Sequence, residues 1–199
     1  MNKRTQDTRD HLLATGAAIM LGKGFAAVGL TEILSTAGVP KGSFYHYFES
    51  KEGYGVALLQ RYFDDYLAEV DRLLANREFN GRAKLDAYFD AWQPHGEEGE
   101  LATSRCLAVK LSGEVCDLSA DMRTTLQRGM AQAVERLAAF ILIGRADGSV
   151  PQGGDAGQLA AALYQLWLGA ALASKVQHST QPYAAARLAT AALLDPRSN

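Results

Sequence analysis

The chain has only two cysteines, Cys106 and Cys116, among its 199 residues. Two thiols cannot form the disulfide framework of a small secreted protein, and without nearby histidines they are too few for a structural zinc site. This low cysteine content is typical of proteins from a reducing cytoplasm. We therefore predict a cytoplasmic protein that binds no metal and needs no cofactor.

The sequence also lacks a strongly hydrophobic run. Residues 156–174 carry no charge, but Gln158, Gln165 and many alanines make this stretch poorly hydrophobic. The N-terminal stretch imitates a signal peptide, yet Asp7 and Asp10 interrupt its charged region. We interpret both stretches as helices of a folded protein and expect no membrane partner.

Strand-like alternation, internal repeats and low-complexity tracts are missing as well. Apolar residues instead recur at the helical period of about 3.6 residues. Hydrophobic residues make up 48% of the chain, which is enough to build a buried core. The pattern predicts an all-α fold of about nine helices.

Several helix ends can be read from the sequence. Helix one is expected over about residues 7–23, where Gly24 supplies a left-handed stop. Ser119 is the expected cap of a long seventh helix. The eighth and ninth helices are expected over residues 155–177 and 183–194.

Charge is unevenly distributed along a chain whose formal net charge is -2. Residues 1–51 contain six Lys and Arg against four Asp and Glu, whereas the remaining residues contain fourteen against eighteen. The small net charge excludes a protein that coats nucleic acid nonspecifically. A basic N-terminal part remains, with a balance of +2.

Residues 31–51, TEILSTAGVPKGSFYHYFESK, predict two short helices joined by a tight turn. Gly29 or Thr31 stands where the first helix needs a cap, and Gly38 is expected to end it. Pro40 cannot continue that helix but suits the start of the next one. The spacing indicates a helix-turn-helix motif.

The second of these helices has two different sides. Phe44 and Phe48, four residues apart, give it a buried side. The other side offers hydrogen-bond donors, aromatic rings and positive charge with almost no acid, as a helix in the major groove of DNA requires. An ordinary amphipathic helix with exposed tyrosines is the simpler alternative.

The segment AGVPKGSFYHYFESKE, residues 37–52, resembles the DNA-binding signature of TetR-family transcriptional repressors. The resemblance implies a helix-turn-helix domain over residues 1–50 and a regulatory and dimerisation domain over residues 51–199. Val28 and Gly29 depart from the Thr or Ser pair usual in the family, so a capping hydroxyl is missing unless Thr31 substitutes for it. The residues that the resemblance places at or near DNA are Thr31, Lys41, Gly42, Ser43, Tyr45, His46, Tyr47 and Lys51.

The resemblance also implies a homodimer on a palindromic operator. One short reading helix covers few base pairs, and motifs of this kind work as dimers. Small residues such as Gly169 and Ala173 permit close helix approach in the nearly all-apolar eighth helix. We predict a dimer interface through about residues 155–194, with a monomer core as the alternative.

Repressors of this family bind an inducer between their middle helices, and such a site needs a mainly apolar cavity. The possible lining residues are Tyr88, Trp92, Lys110 and Trp167. Plain core packing is the alternative for most of the aromatic residues.

Cys106 lies in the first turn of a helix expected from Ser104, beside Arg105 and one turn before Lys110. The positive end of a helix dipole and nearby cations lower the pKa of a cysteine, which favours a reactive thiol. A small residue chosen for packing is the alternative there, and Cys116 is expected to be buried.

Two further stretches, CLAVKLSGEVCDLSADMR and LWLGAALASK, resemble NemR-type repressors, which respond to electrophiles and chlorine oxidants. The resemblance implies that Cys106 is the sensor and that Lys175 is its partner. A reversible apolar inducer is the alternative.

An enzyme is the competing class of function, with Cys106, His95 and Lys110 as imaginable nucleophile, base and cation. The sequence shows no triad-like spacing and no glycine-rich phosphate loop. We therefore predict a DNA-binding repressor and no enzyme.

Overall fold

A computed structural model describes residues 3–93 and 107–194, with side chains described from Asp7 onward in the first range. All regular structure in these two ranges is α-helical, which confirms the predicted all-α fold. The nine helices of these ranges are α1 (Lys3–Lys23), α2 (Leu30–Ala37), α3 (Lys41–Tyr47), α4 (Lys51–Ala75), α5 (Gly81–Asp90), α6 (Leu107–Leu118), α7 (Ala120–Asp147), α8 (Ala156–Gln177) and α9 (Gln181–Leu194).

The chain divides into two compact units. The first contains Met1–Asp65 and Cys106–Gly129, and the second contains Tyr66–Arg105 and Met130–Asn199. Helices α4 and α7 each contribute residues to both units. The functional boundary at residue 50 stays a prediction.

Glycines end the first two helices in the predicted way. Gly24 follows α1 at φ 85° and Gly38 follows α2 at φ 64°, a left-handed conformation that glycine adopts without a steric penalty. Backbone amides at the end of α2 donate hydrogen bonds to the Leu34 and Ser35 carbonyls. The ends of α1 and α2 are therefore set by the residues that directly follow each helix.

Other predicted ends need correction. Helix α1 begins at Lys3, four residues before the predicted start, and Thr31 lies inside α2, where Gly29 takes the cap position without a side-chain hydrogen bond. Phe48 follows α3 instead of continuing it, since its backbone is extended. These changes shift ends by a few residues and leave the order of the helices intact.

The core of the first unit is aromatic. Tyr54, in the first turn of α4, is fully buried and lies 5.5 Å from the Phe44 ring and 4.9 Å from the Phe48 ring. Its hydroxyl donates a hydrogen bond of 2.7 Å to the Leu12 carbonyl of α1. This side chain thus connects α1, α3 and α4.

The second unit contains the α8–α9 pair. Trp167 of α8 is fully buried, stacks on Phe89 at 4.7 Å and donates from its indole Nε1 to the Thr190 hydroxyl of α9 at 2.8 Å. Asp155 caps α8 by accepting from the Gln158 amide. Burial of the tryptophan and its polar partner together fixes α9 against α8.

A buried lysine completes the end of α4. Lys84 is 3% exposed, and its ammonium donates to the Leu73, Leu74 and Asn76 carbonyls at the C-terminal end of that helix. The cation adds a donor to these carbonyls, of which that of Leu73 also accepts from the Asn76 amide at 3.3 Å, and it opposes the negative end of the helix dipole.

Helix α8 is long and apolar enough to cross a membrane by length and composition alone. Core helices of folded proteins pass the same test, and 39% of its most apolar window is already buried within the chain. The span is therefore weak support for a membrane location.

Two glycines of α1 provide a test of this packing. A Cβ at Gly16 would lie 1.7 Å from the Tyr54 hydroxyl oxygen, whereas a Cβ at Gly22 would meet nothing within 4 Å. We expect Gly16→Ala to reduce the free energy of unfolding by roughly 1–3 kcal/mol through overpacking. Gly22→Ala should leave it unchanged or raise it by up to about 1 kcal/mol through helix propensity. Urea unfolding of both variants checks this, and equal effects would contradict the packing described.

Candidate nucleic-acid interface and sensor residues

Helix α3 presents one side to the core and the other to solvent. Phe44 is fully buried and Phe48 is 4% exposed, and both pack on the Tyr54 ring. On the outer side Tyr45 is 52% exposed. The predicted contact residues of this helix are exposed at Lys41, Gly42, Tyr45 and His46 and half-buried at Ser43 and Tyr47.

The outer side of α3 is open and carries no acid within the helix. A Cβ at Gly42 would meet nothing within 4 Å, so the backbone there can be approached closely from outside. Lys41 supplies a cation, and His46 and Tyr47 lie edge to face at 5.1 Å. Hydroxyl, imidazole and ammonium groups on a narrow helix can contact base edges and phosphates together.

Lys51 begins α4, as predicted, but it also has a structural role. Its Nζ lies 3.4 Å from the Ala26 carbonyl oxygen and 4.6 Å from the centre of the Phe25 ring. Ser50 caps the same helix by accepting from the Gly53 amide at 2.9 Å. We did not predict this cap from the sequence, although a serine directly before a helix is a recognisable capping residue.

Thr31 is exposed in the first turn of α2, one residue before Glu32. Glu32 pairs with Lys23 at 2.5 Å. Gly29, and not Thr31, takes the cap position of α2, and the position of Thr31 near phosphate stays a prediction.

The predicted sensor lies only partly in the described chain. Cys106, with its neighbours Ser104 and Arg105, lies outside the described residues, and α6 is described from the next residue, Leu107. Lys110 is half-buried one turn along α6. Lys175 is half-buried in the last turn of α8.

Cys116 is a free cysteine that is half-buried, so the expectation of a buried residue is wrong. It lies near the end of α6, where its carbonyl accepts from Arg123 at 3.2 Å. This second thiol can therefore serve as an internal comparison for the first.

The second unit contains a cavity of about 390 Å³ between α5, α8 and α9. Its lining residues are Arg82, Asp86, Phe89, Asp90, Trp167, Arg187, Thr190 and Ala191. Two ion pairs, Arg82–Asp86 at 3.2 Å and Arg187–Asp90, stand around a floor of stacked rings. The cavity is thus more polar than the mainly apolar one that we predicted.

Only Trp167 of the four predicted lining residues lines this cavity. Tyr88 is buried in ring contacts with Phe89 and Phe140, and Trp92 packs against Tyr164 at 5.8 Å. Lys110 belongs to the first unit. The aromatic residues that the sequence singled out, Tyr88 and Trp92, pack in the core, because core packing and ligand binding use the same types of side chain.

Sequence reasoning missed the charged residues of the cavity. Asp90 and Arg187 are 97 positions apart, and each reads as an ordinary polar residue of an amphipathic helix. No local pattern could have paired them.

Two family profiles match separate parts of the chain. Residues 12–58 match the profile of "Bacterial regulatory proteins, tetR family", and residues 81–190 match that of "Tetracyclin repressor-like, C-terminal domain". The chain is 45% identical to the HTH-type transcriptional repressor NemR of Escherichia coli K12, over 92% of each chain. It is 32% identical to the repressor DhaR of Mycobacterium sp. GP1, over 87% of this chain and 85% of that one.

The fold is also similar to that of solved proteins. The crystal structure of E. coli NemR in its reduced form superposes with a TM-score of 0.85 at 42% identity, covering 94% of this chain and 97% of that one. A putative transcriptional regulator of the TetR/AcrR family superposes with a TM-score of 0.84, also at 42% identity, covering 96% and 100%.

The outer side of α3 predicts a defined salt dependence. Lys41→Ala should weaken binding to duplex DNA and flatten the slope of log K against log salt by about 0.9, because one fewer counterion is released. Arg72→Ala removes an exposed cation from the other unit and should leave the slope unchanged. Fluorescence anisotropy across a salt series measures both slopes, and equal slopes for the two variants would exclude Lys41 from the interface.

Proposed function

The chain belongs to the tetR family of bacterial regulatory proteins and is a transcriptional repressor of the NemR type, and we propose that modification of Cys106 releases it from its operator. Members of this family are regulators and not enzymes, so catalysis by Cys106 is set aside. The observation that carries the proposal is the position of Cys106, directly before α6, in a chain so similar to NemR.

The DNA contact is proposed to be the outer side of α3 together with Thr31 and Lys51. Regulators of this family act as dimers on operator DNA, so two copies of α3 read a palindromic site. The exposed Lys41, Tyr45 and His46 support this assignment because they offer charge and donors without competing acid. The location of such a protein is proposed to be the cytoplasm.

The dimer interface is proposed to be formed by α8 and α9. Val176 is 73% exposed, Leu188 is 74% exposed and Leu172 is 55% exposed, all on these two helices. Large apolar side chains exposed together on one helix pair mark an interaction surface. A second copy of the same pair, related by a two-fold axis, covers this surface with matching residues.

The sensing chemistry is proposed to be addition to the Cys106 thiolate. Its sulfur forms a bond to one carbon of an electrophilic C=C group, and the other carbon takes a proton from water. Hypochlorous acid oxidises the same thiolate by two electrons to a sulfenic acid, in which sulfur is bonded to oxygen, and is itself reduced to chloride. The solved NemR structure is described as the reduced form of that protein, which supports a redox-sensitive thiol in its relatives.

Release is proposed to follow from altered spacing of the two reading helices. Helix α4 starts four residues after α3 and continues from residues of the first unit to residues of the second. A ligand or a modification can shift the equilibrium between two arrangements of the reading helices only if it stabilises one arrangement more than the other. Misspaced copies of α3 then lose contact with the two half-sites.

A non-covalent inducer is the second candidate. The cavity of about 390 Å³ has the Phe89 and Trp167 rings as its floor, and a cavity of this size accommodates a small molecule. Its two ion pairs favour a ligand with polar groups over a purely apolar one. This alternative predicts release that does not depend on either cysteine.

A single charge introduced on α9 tests the proposed dimer interface. Leu188→Glu should convert the protein to a monomer and abolish operator binding, because a carboxylate buried without a partner is strongly unfavourable. Leu118→Glu changes a similarly exposed leucine in the first unit and should leave the dimer intact. Analytical ultracentrifugation decides the matter, and a dimeric Leu188→Glu protein would place the interface elsewhere.

The sensing prediction compares the two thiols. N-ethylmaleimide should release wild type and Cys116→Ser from operator DNA, whereas Cys106→Ser should stay bound. Lys175→Ala tests whether the lysine tunes the thiol, in which case the rate of release at fixed pH should fall. Gel shifts before and after treatment measure this. Release of the Cys106→Ser protein, or unchanged binding by treated wild type, would refute the proposal.

A further inference from the structure

Glu114 of α6 reaches the turn between α1 and α2. The Phe25 amide donates to its Oε2 at 3.0 Å, and the Ala26 amide donates to its Oε1. All three residues belong to the first unit. A carboxylate that accepts two consecutive backbone N–H groups makes charge-assisted hydrogen bonds of the strong kind.

The turn has a shape that admits this carboxylate. Gly24 has φ 85°, and a Cβ at that position would lie 2.7 Å from Glu114 Oε2. The left-handed backbone favours glycine there, and a side chain at this position would make the Glu114 carboxylate shift. The carboxylate therefore lies directly against the turn.

Lys51 also contacts this turn. Its ammonium lies 3.4 Å from the Ala26 carbonyl oxygen and 4.6 Å from the centre of the Phe25 ring, and Phe25 is 3% exposed. The turn is thus contacted by an acid from α6 and a base from α4. Helix α2, which packs against α3, begins at Leu30, four residues after Ala26.

We infer that Glu114 is a positioning residue for operator binding, because it ties the turn before the helix-turn-helix to α6. Helix α6 begins directly after Cys106, and Glu114 lies two helical turns further along. The same carboxylate therefore passes a displacement of α6 to the reading helices. Only this second role rests on the proposed sensing at Cys106.

Glu114→Gln tests the contact with little change of shape. The amide keeps one acceptor oxygen but places an NH₂ donor against one of the two backbone N–H groups. We expect the affinity of the untreated dimer for operator DNA to fall by about tenfold, the loss typical of one charge-assisted hydrogen bond. Hydrogen exchange at the Phe25 and Ala26 amides should accelerate.

Asp117→Asn is the matched control, since it removes one charge from an exposed position on the same helix. It should bind operator DNA as wild type does. Gly24→Ala is a second variant that keeps the carboxylate but obstructs its approach, and it should lose affinity as Glu114→Gln does. Far-UV circular dichroism confirms that each variant is helical at the assay temperature.

The coupling is read from the ratio of operator dissociation constants after and before N-ethylmaleimide treatment. Wild type and Asp117→Asn should show a ratio of roughly ten or more, within the usual range of allosteric coupling, and Glu114→Gln a ratio near one. An untreated affinity of Glu114→Gln equal to wild type would overturn the positioning role, and a full response of this variant would overturn the coupling role. A wild type that fails to respond would refute sensing at Cys106, and the untreated affinities would still decide the positioning role.

Discussion

The Tyr54 side chain lies where α1, α3 and α4 meet, and the outer side of α3 depends on that buried contact. Its ring packs on Phe44 and Phe48, and its hydroxyl donates to the Leu12 carbonyl. Burial raises the pKa of the Tyr54 phenol well above its usual range, so the group stays a neutral donor at any physiological pH. Because the hydroxyl occupies the space of a missing Cβ, α1 needs glycine at position 16.

The reading motif could be predicted from sequence because its signals are local. Gly38 ends α2 through its own backbone conformation, and Phe44 falls on the buried side of α3 through spacing alone. The two cysteines likewise argued against a disulfide framework without any reference to packing. The TetR and NemR resemblances added the family and the repressor function, and the comparisons confirm both.

The remaining features depend on residues that are distant in sequence. Glu114 and Phe25 are 89 positions apart, and Arg136 binds Asp71 at 2.7 Å across 65 positions, so neither pair leaves a pattern in a short window. The charged lining of the cavity could not be predicted for the same reason, since its charges come from α5 and α9. The observed end of α3 also differs from the predicted one. Phe48 lies outside the helix, and its ring packs on Tyr54 in the core.

The central claim is that a chemical change beside α6 alters the spacing of the two α3 helices in a dimer. Crystal structures of the reduced protein and of the N-ethylmaleimide adduct at Cys106 test it directly, through the distance between the two Tyr45 Cα atoms of the dimer. The claim predicts that this distance matches one helical turn of DNA, about 34–36 Å, or a multiple of it in the reduced protein, and departs from it by several ångströms in the adduct. An unchanged distance in an adduct that no longer binds DNA would contradict the claim and favour release through loss of order in the helix-turn-helix.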